Sequence, residues 1–323
     1  MRDYAARKSM RKAMKILLAV DGSEDSLAAV EEAARTPWPE GSVVRIVSVA
    51  EIPFPTQQWA APMPSGSYEE WERIFEDRSV ENTAQAMARF GEIAGAQTET
   101  TAKTLKGDPK ITILDEAERW GADLIVVGTR GHASGIFWLG SMSRAVALHA
   151  KCSVDVARRR ETQGVGGETM RILLAVDGSE FSDAAVEEIA DRPWPRGSEV
   201  HVISVVQLHL TPALGAWALP DDYYRKLERA GREQAELVID RAISRLRESN
   251  AARESPLTLT SEVTVGHPAM VIIKTASEWN AGLVALGAHG HRGFTRFLPG
   301  SVAHAVASHA PCSVEVVRKP MQG

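Results

Sequence analysis

Four small residues recur in one arrangement at two places in this 323-residue chain: Gly128, Gly131, Gly140 and Ser141, and again Gly287, Gly290, Gly300 and Ser301. Each set runs from the end of an apolar stretch, 124–127 or 283–286, into a helical pattern. Glycine lets a backbone approach a ligand closely, and a helix N-terminus presents unpaired N–H donors that favour an anion such as phosphate. One terminus contributes only about 0.3–1 kcal/mol, up to about 2 when partly buried, so several donors must converge. Ser141 and Ser301 add hydroxyls at the same end. Neither set is a Walker A loop, which needs Lys before its Ser or Thr, nor a GxGxxG fingerprint. Turn glycines and a helix cap would use the same residues, and duplication copies structural glycines as faithfully as functional ones.

A second pair of loops carries Asp21-Gly22-Ser23 and Asp177-Gly178-Ser179. An Asp at the rim of a sheet accepts hydrogen bonds from a sugar hydroxyl or a base amine; the competing reading is an N-cap for the helix that follows. His289 and His291 alternate in a loop, and His304 and His309 sit on a helical stretch, with no metal-ligand spacing. Cys152 and Cys312 are too few for a disulfide framework and read as small buried hydrophobes.

The elements that must position these loops are duplicated. Residues 16–24 recur unchanged as 172–180, Pro37-Trp38-Pro39 recurs as Pro193-Trp194-Pro195, and Cys152-Ser153-Val154 as Cys312-Ser313-Val314. A repeat this long is too large for a solenoid unit of about 20–50 residues, so each copy owns a core. The polar, glycine-rich stretch 159–169 reads as a linker between domains at 13–158 and 170–318. Within each copy, short Val, Ile and Leu runs alternate with helical patterns, the signature of βαβ units and a parallel sheet. Strands are expected near 14–20, 43–50, 99–105, 123–128 and 153–157, and helices near 24–35, 68–94, 110–120 and 141–150. The second copy repeats them near 171–176, 199–206, 258–265, 283–287 and 313–317, with helices near 180–191, 221–249, 268–279 and 301–309. Pro53, Pro55, Pro62 and Pro64 indicate a long loop after the second strand, and Trp38 and Trp194 read as packing anchors.

The composition, 44% hydrophobic and 24% charged, is that of an ordinary globular protein, and a formal net charge of −5 gives no electrostatic reason to expect nucleic acid. No stretch approaches the roughly 18 apolar residues of a membrane span. Arg2, Arg7, Lys8, Arg11 and Lys12 precede no apolar run of the length a secretory signal needs, so a cytoplasmic protein is expected.

An opening strand ending in Val-Asp-Gly-Ser, a Gly-x-x-Gly followed by nine residues and Gly-Ser, and a closing Cys-Ser-Val strand together resemble the universal stress protein domain. The resemblance covers nearly the whole chain and implies an α/β fold of two tandem, doubly wound domains. Each would hold a five-stranded parallel sheet of order 3-2-1-4-5 flanked by helices, like the adenine nucleotide alpha hydrolases. It implies ATP as ligand, with Mg²⁺ or Mn²⁺ arriving on the nucleotide, and pairing of domains through strand five.

Carried over by position, Asp177 and Val205 border the adenosine, Gly287 approaches the ribose, and Gly290, Gly300, Ser301 and Val302 hold the phosphates. The matching positions in the first copy are Asp21, Val49, Gly128, Gly131, Gly140, Ser141 and Met142. The second copy has the full nine-residue spacer, 291–299, including Arg292 and Arg296; the first has eight residues, 132–139. The second site is therefore expected to be the better one, unless the loop absorbs the shortening or Arg130, just before the first spacer, compensates.

The expected function is that of an ATP-binding regulatory protein of the stress response. No base or charge-stabilising set for phosphoryl transfer can be named. A slow ATPase using His289, His291 or Arg292 is one alternative, and an interaction or chaperone-like module with structural glycines is another. Strand five is an edge in each copy, so the two copies are expected to pair within the chain as an internal pseudo-dimer, with a homodimer of chains also compatible.

Overall fold

A computed structural model describes residues 13–51, 67–95, 98–129, 139–159, 169–208, 221–251, 253, 255–290 and 300–319. Two compact units emerge, one built on Lys12–Arg159 and the other on Arg160–Gly323.

The first unit runs β1 (Lys15–Ala19), α1 (Glu24–Arg35), β2 (Val43–Ala50), α2 (Ser67–Ala94), β3 (Glu99–Lys106), α3 (Pro109–Trp120), β4 (Leu124–Gly128), α4 (Ser141–His149) and β5 (Ser153–Ala157). Its strands lie in the order β3-β2-β1-β4-β5, all parallel. Residues on β1 alternate between two cores, as the two-residue period of a strand requires. Ile16 and Leu18 pack beneath α1 and α2 with Val30, Ala33 and Phe90, while Leu17 and Ala19 pack beneath α3 and α4 with Ile113 and Val146. Burial on both faces explains why the strands read as continuous apolar runs.

The second unit repeats the plan as β6 (Arg171–Ala175), α5 (Glu180–Asp191), β7 (Glu199–Val206), α6 (Asp221–Asn250), β8 (Thr258–Val265), α7 (Pro268–Glu278), β9 (Leu283–Gly287), α8 (Ser301–His309) and β10 (Ser313–Val317). The order is β8-β7-β6-β9-β10, again parallel. Ile172 and Leu174 join one core with α5 and α6, and Leu173 and Ala175 the other with α7 and α8. Both units are α/β with the expected strand order.

Local chemistry sets the element ends. Asp108 caps α3 by accepting from the Lys110 N–H, Pro109 opens that helix, and left-handed Gly121 (φ 70°) closes it. Asn280 takes the left-handed conformation (φ 49°) just after α7 in the second unit. The tryptophans act as anchors: the Trp38 and Trp194 indoles each donate at 2.8 Å, to the carbonyls of Ala33 and Ile189. Cys312 is buried in the α7/α8 core, and Cys152 packs at the edge of the corresponding first-unit core.

One buried charge cluster occurs only in the first unit. Glu116 on α3, its side chain 1% exposed, accepts from Arg45 at 2.9 Å, Lys103 at 2.9 Å and Arg119 at 2.7 Å. Burial alone would raise its carboxyl, but the hydrogen bonds from Lys103 and Arg45 outweigh burial and hold it below its ordinary 4.5. A depressed folded-state value contributes stability above the unfolded value, and that contribution disappears as pH falls through the folded one. Glu116→Gln is therefore expected to cost about 1–3 kcal/mol at neutral pH, the range for stranding buried hydrogen-bonding groups. Urea unfolding of both proteins at descending pH should show the difference shrinking below the ordinary 4.5.

Candidate functional site

In both units the chain leaves the central strand toward α1 or α5 on one face, while the neighbouring β4 or β9 feeds a helix on the other face. Such a divergence opens a crevice beyond the carboxyl ends of the strands. Asp21 and Asp177 stand at its rim, each followed by a left-handed glycine, Gly22 (φ 80°) and Gly178 (φ 82°).

Capping is done by the serines. Ser23 Oγ accepts from the Ser26 N–H and Ser179 Oγ from the Ser182 N–H, both at 3.2 Å, so these side chains close the N-termini of α1 and α5. The aspartates close the turn before them: Asp21 Oδ1 accepts from the Ser23 N–H at 3.0 Å and Asp177 Oδ1 from the Ser179 N–H at 2.9 Å. Ser23 also donates its hydroxyl to Asp21 at 2.5 Å, whereas Ser179 donates its hydroxyl to the His289 carbonyl at 3.2 Å. The second unit thus ties its first loop to its second. A Cβ on Gly290 would lie 2.5 Å from Asp177 Oδ2, so the absence of a side chain there is what lets the two loops approach.

The glycines that end β4 and β9 have another reason to be glycine. A Cβ on Gly128 would stand 2.6 Å from the Asp25 carbonyl oxygen, and one on Gly287 would stand 2.6 Å from the Phe181 carbonyl carbon. Their close approach is to the first turn of α1 or α5, and packing alone accounts for them.

The N-termini of α4 and α8 differ from those of α1, α3 and α5. Gly140 and Gly300 are their N-caps, and no side chain caps either helix. The cap residues are fixed by backbone bonds instead, Gly140 N–H to the Thr129 carbonyl at 2.8 Å and Gly300 N–H to the Ala288 carbonyl at 2.7 Å. Ser141 and Ser301 are exposed at these ends. Met142 and Val302 turn their side chains onto the core, which leaves their backbone N–H groups as the part able to meet a ligand. Val49 and Val205, half-buried near the carboxyl ends of β2 and β7, pack on the same cores. Gly131, Arg130, His132, His291, Arg292 and Arg296 lie outside the described residues.

A sequence profile of the universal stress protein family matches residues 12–158 and again 168–318. The chain belongs to the universal stress protein family. As a tandem member, it is 29% identical over 313 residues to a universal stress protein of Mycolicibacterium smegmatis, covering 94% of this chain and 96% of that one. A universal stress protein of Mycobacterium tuberculosis is 27% identical over 317 residues, covering 96% and 98%. The crystal structure of a universal stress protein from Archaeoglobus fulgidus superposes with a TM-score of 0.60 at 18% identity, covering 96% and 98%, which speaks for the fold.

Among the described residues of this universal stress protein, no helix is long and apolar enough to cross a membrane, and no group of three or more His, Cys, Asp or Glu is placed to hold a metal ion. Two contacts were not legible in advance. Phe181 faces the buried His289 ring at 4.8 Å, and in the first unit the Thr129 hydroxyl donates to Asp25 at 3.2 Å. Comparing the two copies is the signal that finds them, since position 25 corresponds to position 181.

Proposed function

We propose that this universal stress protein binds ATP, with its Mg²⁺ or Mn²⁺, in the crevice of the second unit, and that occupancy alters the surface shown to a protein partner during the stress response. The observation that carries the reading is the α8 N-terminus: an uncapped helix end, held by backbone bonds, in the same unit where Gly290 brings the second loop against Asp177. These groups fit the ligand chemically. Free N–H donors suit phosphate, and a rim carboxylate suits sugar hydroxyls or a base amine. Asp177, Val205, Gly287, Gly290, Gly300, Ser301 and Val302 are the proposed contacts. Asp21, Val49, Gly128, Gly131, Gly140, Ser141 and Met142 are their first-unit counterparts. Of the residues that a slow ATPase would use, His289 packs its ring against Phe181 and is 7% exposed, which argues against it as a group that works on the phosphates.

Calorimetric titration of MgATP into nucleotide-stripped protein tests it. Micromolar binding, about −8 kcal/mol, is expected, well beyond one helix terminus. Gly300→Val should abolish it, with thermal unfolding followed alongside to show that the variant is folded; the Cβ itself meets nothing closer than 3.6 Å. No binding in the unmodified chain would leave the glycines structural and favour an interaction module.

We further infer a cytoplasmic protein whose two units pair through β5 and β10. Within its own unit each of these strands has one neighbour, β4 or β9. An edge strand left bare invites promiscuous pairing. Hydrogen exchange on the peptides spanning 153–157 and 313–317 should show slow exchange along both strands; rapid exchange of the outward amides would mean the edges are open.

A further inference from the structure

The two units match closely around the first turn of α1 and α5. Glu24 pairs with Arg159 at 2.9 Å and Glu180 pairs with Lys319 at 3.1 Å, so that charge is balanced alike in both. The next residue differs. In the first unit Asp25 Oδ2 accepts the Thr129 hydroxyl, and the Thr129 carbonyl accepts the Gly140 N–H at the cap of α4. A carboxylate is thereby joined through a single residue to the helix end that would face an anion. In the second unit that position is Phe181, whose ring packs at a tilt against His289, and the corresponding cap of α8 hangs on the Ala288 carbonyl. The first turn of α5 has its own second acid, Asp183, but this residue is exposed, and it follows Ser182 rather than Glu180. What separates the units is where the carboxylate sits, not how many acids the turn carries.

We propose that Asp25 is a specificity-determining residue that makes the first unit discriminate against polyphosphates, so that the triphosphate is taken by the second unit alone. The inference rests on the nucleotide reading given above and adds to it which unit binds and by what discrimination. A helix N-terminus favours an anion only modestly, and a fixed like charge near it opposes that attraction. The discrimination is electrostatic, so it applies to ATP and not to uncharged adenosine, and it weakens with salt.

The test titrates MgATP and, separately, adenosine into the unmodified full chain and into Asp25→Asn, which keeps the shape and the Thr129 contact while removing the charge. The unmodified chain should bind one ATP, lost in Gly300→Val. Asp25→Asn should add a second ATP site, sensitive to Gly140→Val, with a gain of about tenfold or more at the first unit, the factor that corresponds to about 1.4 kcal/mol. Adenosine binding should be unchanged, and the gain should collapse in 1 M salt, where the Debye length is about 3 Å. Phe181→Asp should weaken ATP binding at the second unit, with its thermal unfolding followed to separate lost binding from lost folding. One ATP site unaltered by Asp25→Asn, two equal sites in the unmodified chain, or equal gains for ATP and adenosine would each overturn the role of Asp25 while the nucleotide reading stood. Absence of ATP binding in every folded variant would overturn both.

Discussion

Glu315→Ala is expected to destabilise the second unit by about 3–5 kcal/mol, the cost of stranding one member of a buried ion pair. Glu315, on β10, is fully buried and receives both terminal nitrogens of Arg192 at 2.8 Å each. Arg192 follows α5, has a side chain 3% exposed, and keeps a further contact with Glu188 at 2.7 Å. Its backbone is fixed as well, because Arg253 donates to the Arg192 carbonyl at 2.7 Å, and its guanidinium lies 5.0 Å from the Trp194 ring. With Glu315 gone, the buried arginine loses both of the charge-balancing bonds that this carboxylate accepts and keeps the partly exposed Glu188.

Both partners are pushed up, with opposite consequences for charge: Glu315 and Glu188 strengthen the arginine's hold on its proton against burial, while burial raises the Glu315 carboxyl despite the arginine beside it. The carboxyl is the informative partner, since arginine stays charged throughout. Desolvation therefore outweighs attraction for this group, and a double replacement, Arg192→Met with Glu315→Leu, should recover most of the loss. Denaturant unfolding of the single and double variants measures both effects. The first unit should be unaffected, because position 36, which corresponds to 192, is threonine there. A Glu315→Ala loss below about 1 kcal/mol would mean that water reaches the arginine after all.

The fold was legible because its local signals and its duplication agree. Ser23, Asp108 and Gly121 mark helix ends by their own chemistry, and runs such as 124–127 state burial on both faces. The repeat supplies each assignment twice, so β2, α1, β7 and β9 fall on the expected residues. The candidate site was legible only in part. Sequence places glycines and serines at loop ends but does not say which helix N-termini are already satisfied. That depends on Ser23 and Ser179 folding back on α1 and α5, and on Gly140 and Gly300 being held by backbone carbonyls. Nor does it say that Phe181 would meet His289, a contact between residues more than a hundred positions apart. Such facts belong to packing, which periodicity does not encode.

The same distinction gives the second large effect. Gly287 and Gly300 stand in one motif, yet alanine at the two positions should do different things. At Gly287 the new methyl carbon would lie 2.6 Å from the Phe181 carbonyl carbon and 2.7 Å from the Ser182 nitrogen, which are main-chain atoms of a capped helix turn. They cannot yield as the end of a flexible side chain does. Either α5 lifts from β9 or the strand shifts, and both disturb a core that holds Ile172, Leu174 and Val186. Overpacking of this kind costs about 1–3 kcal/mol or more. At Gly300 the methyl meets nothing closer than 3.6 Å and the φ of −61° suits any residue, so only the N-cap preference for glycine over alanine remains, about 1 kcal/mol or less. Thermal unfolding of the two variants therefore separates a glycine kept for packing from one that packing does not require. If Gly300→Ala weakens MgATP binding at unchanged stability, the glycine is there for the ligand. If Gly287→Ala proves as stable as the unmodified chain, the crowding at the α5 N-terminus is relieved by small shifts, and the packing explanation for the glycines that end β4 and β9 fails.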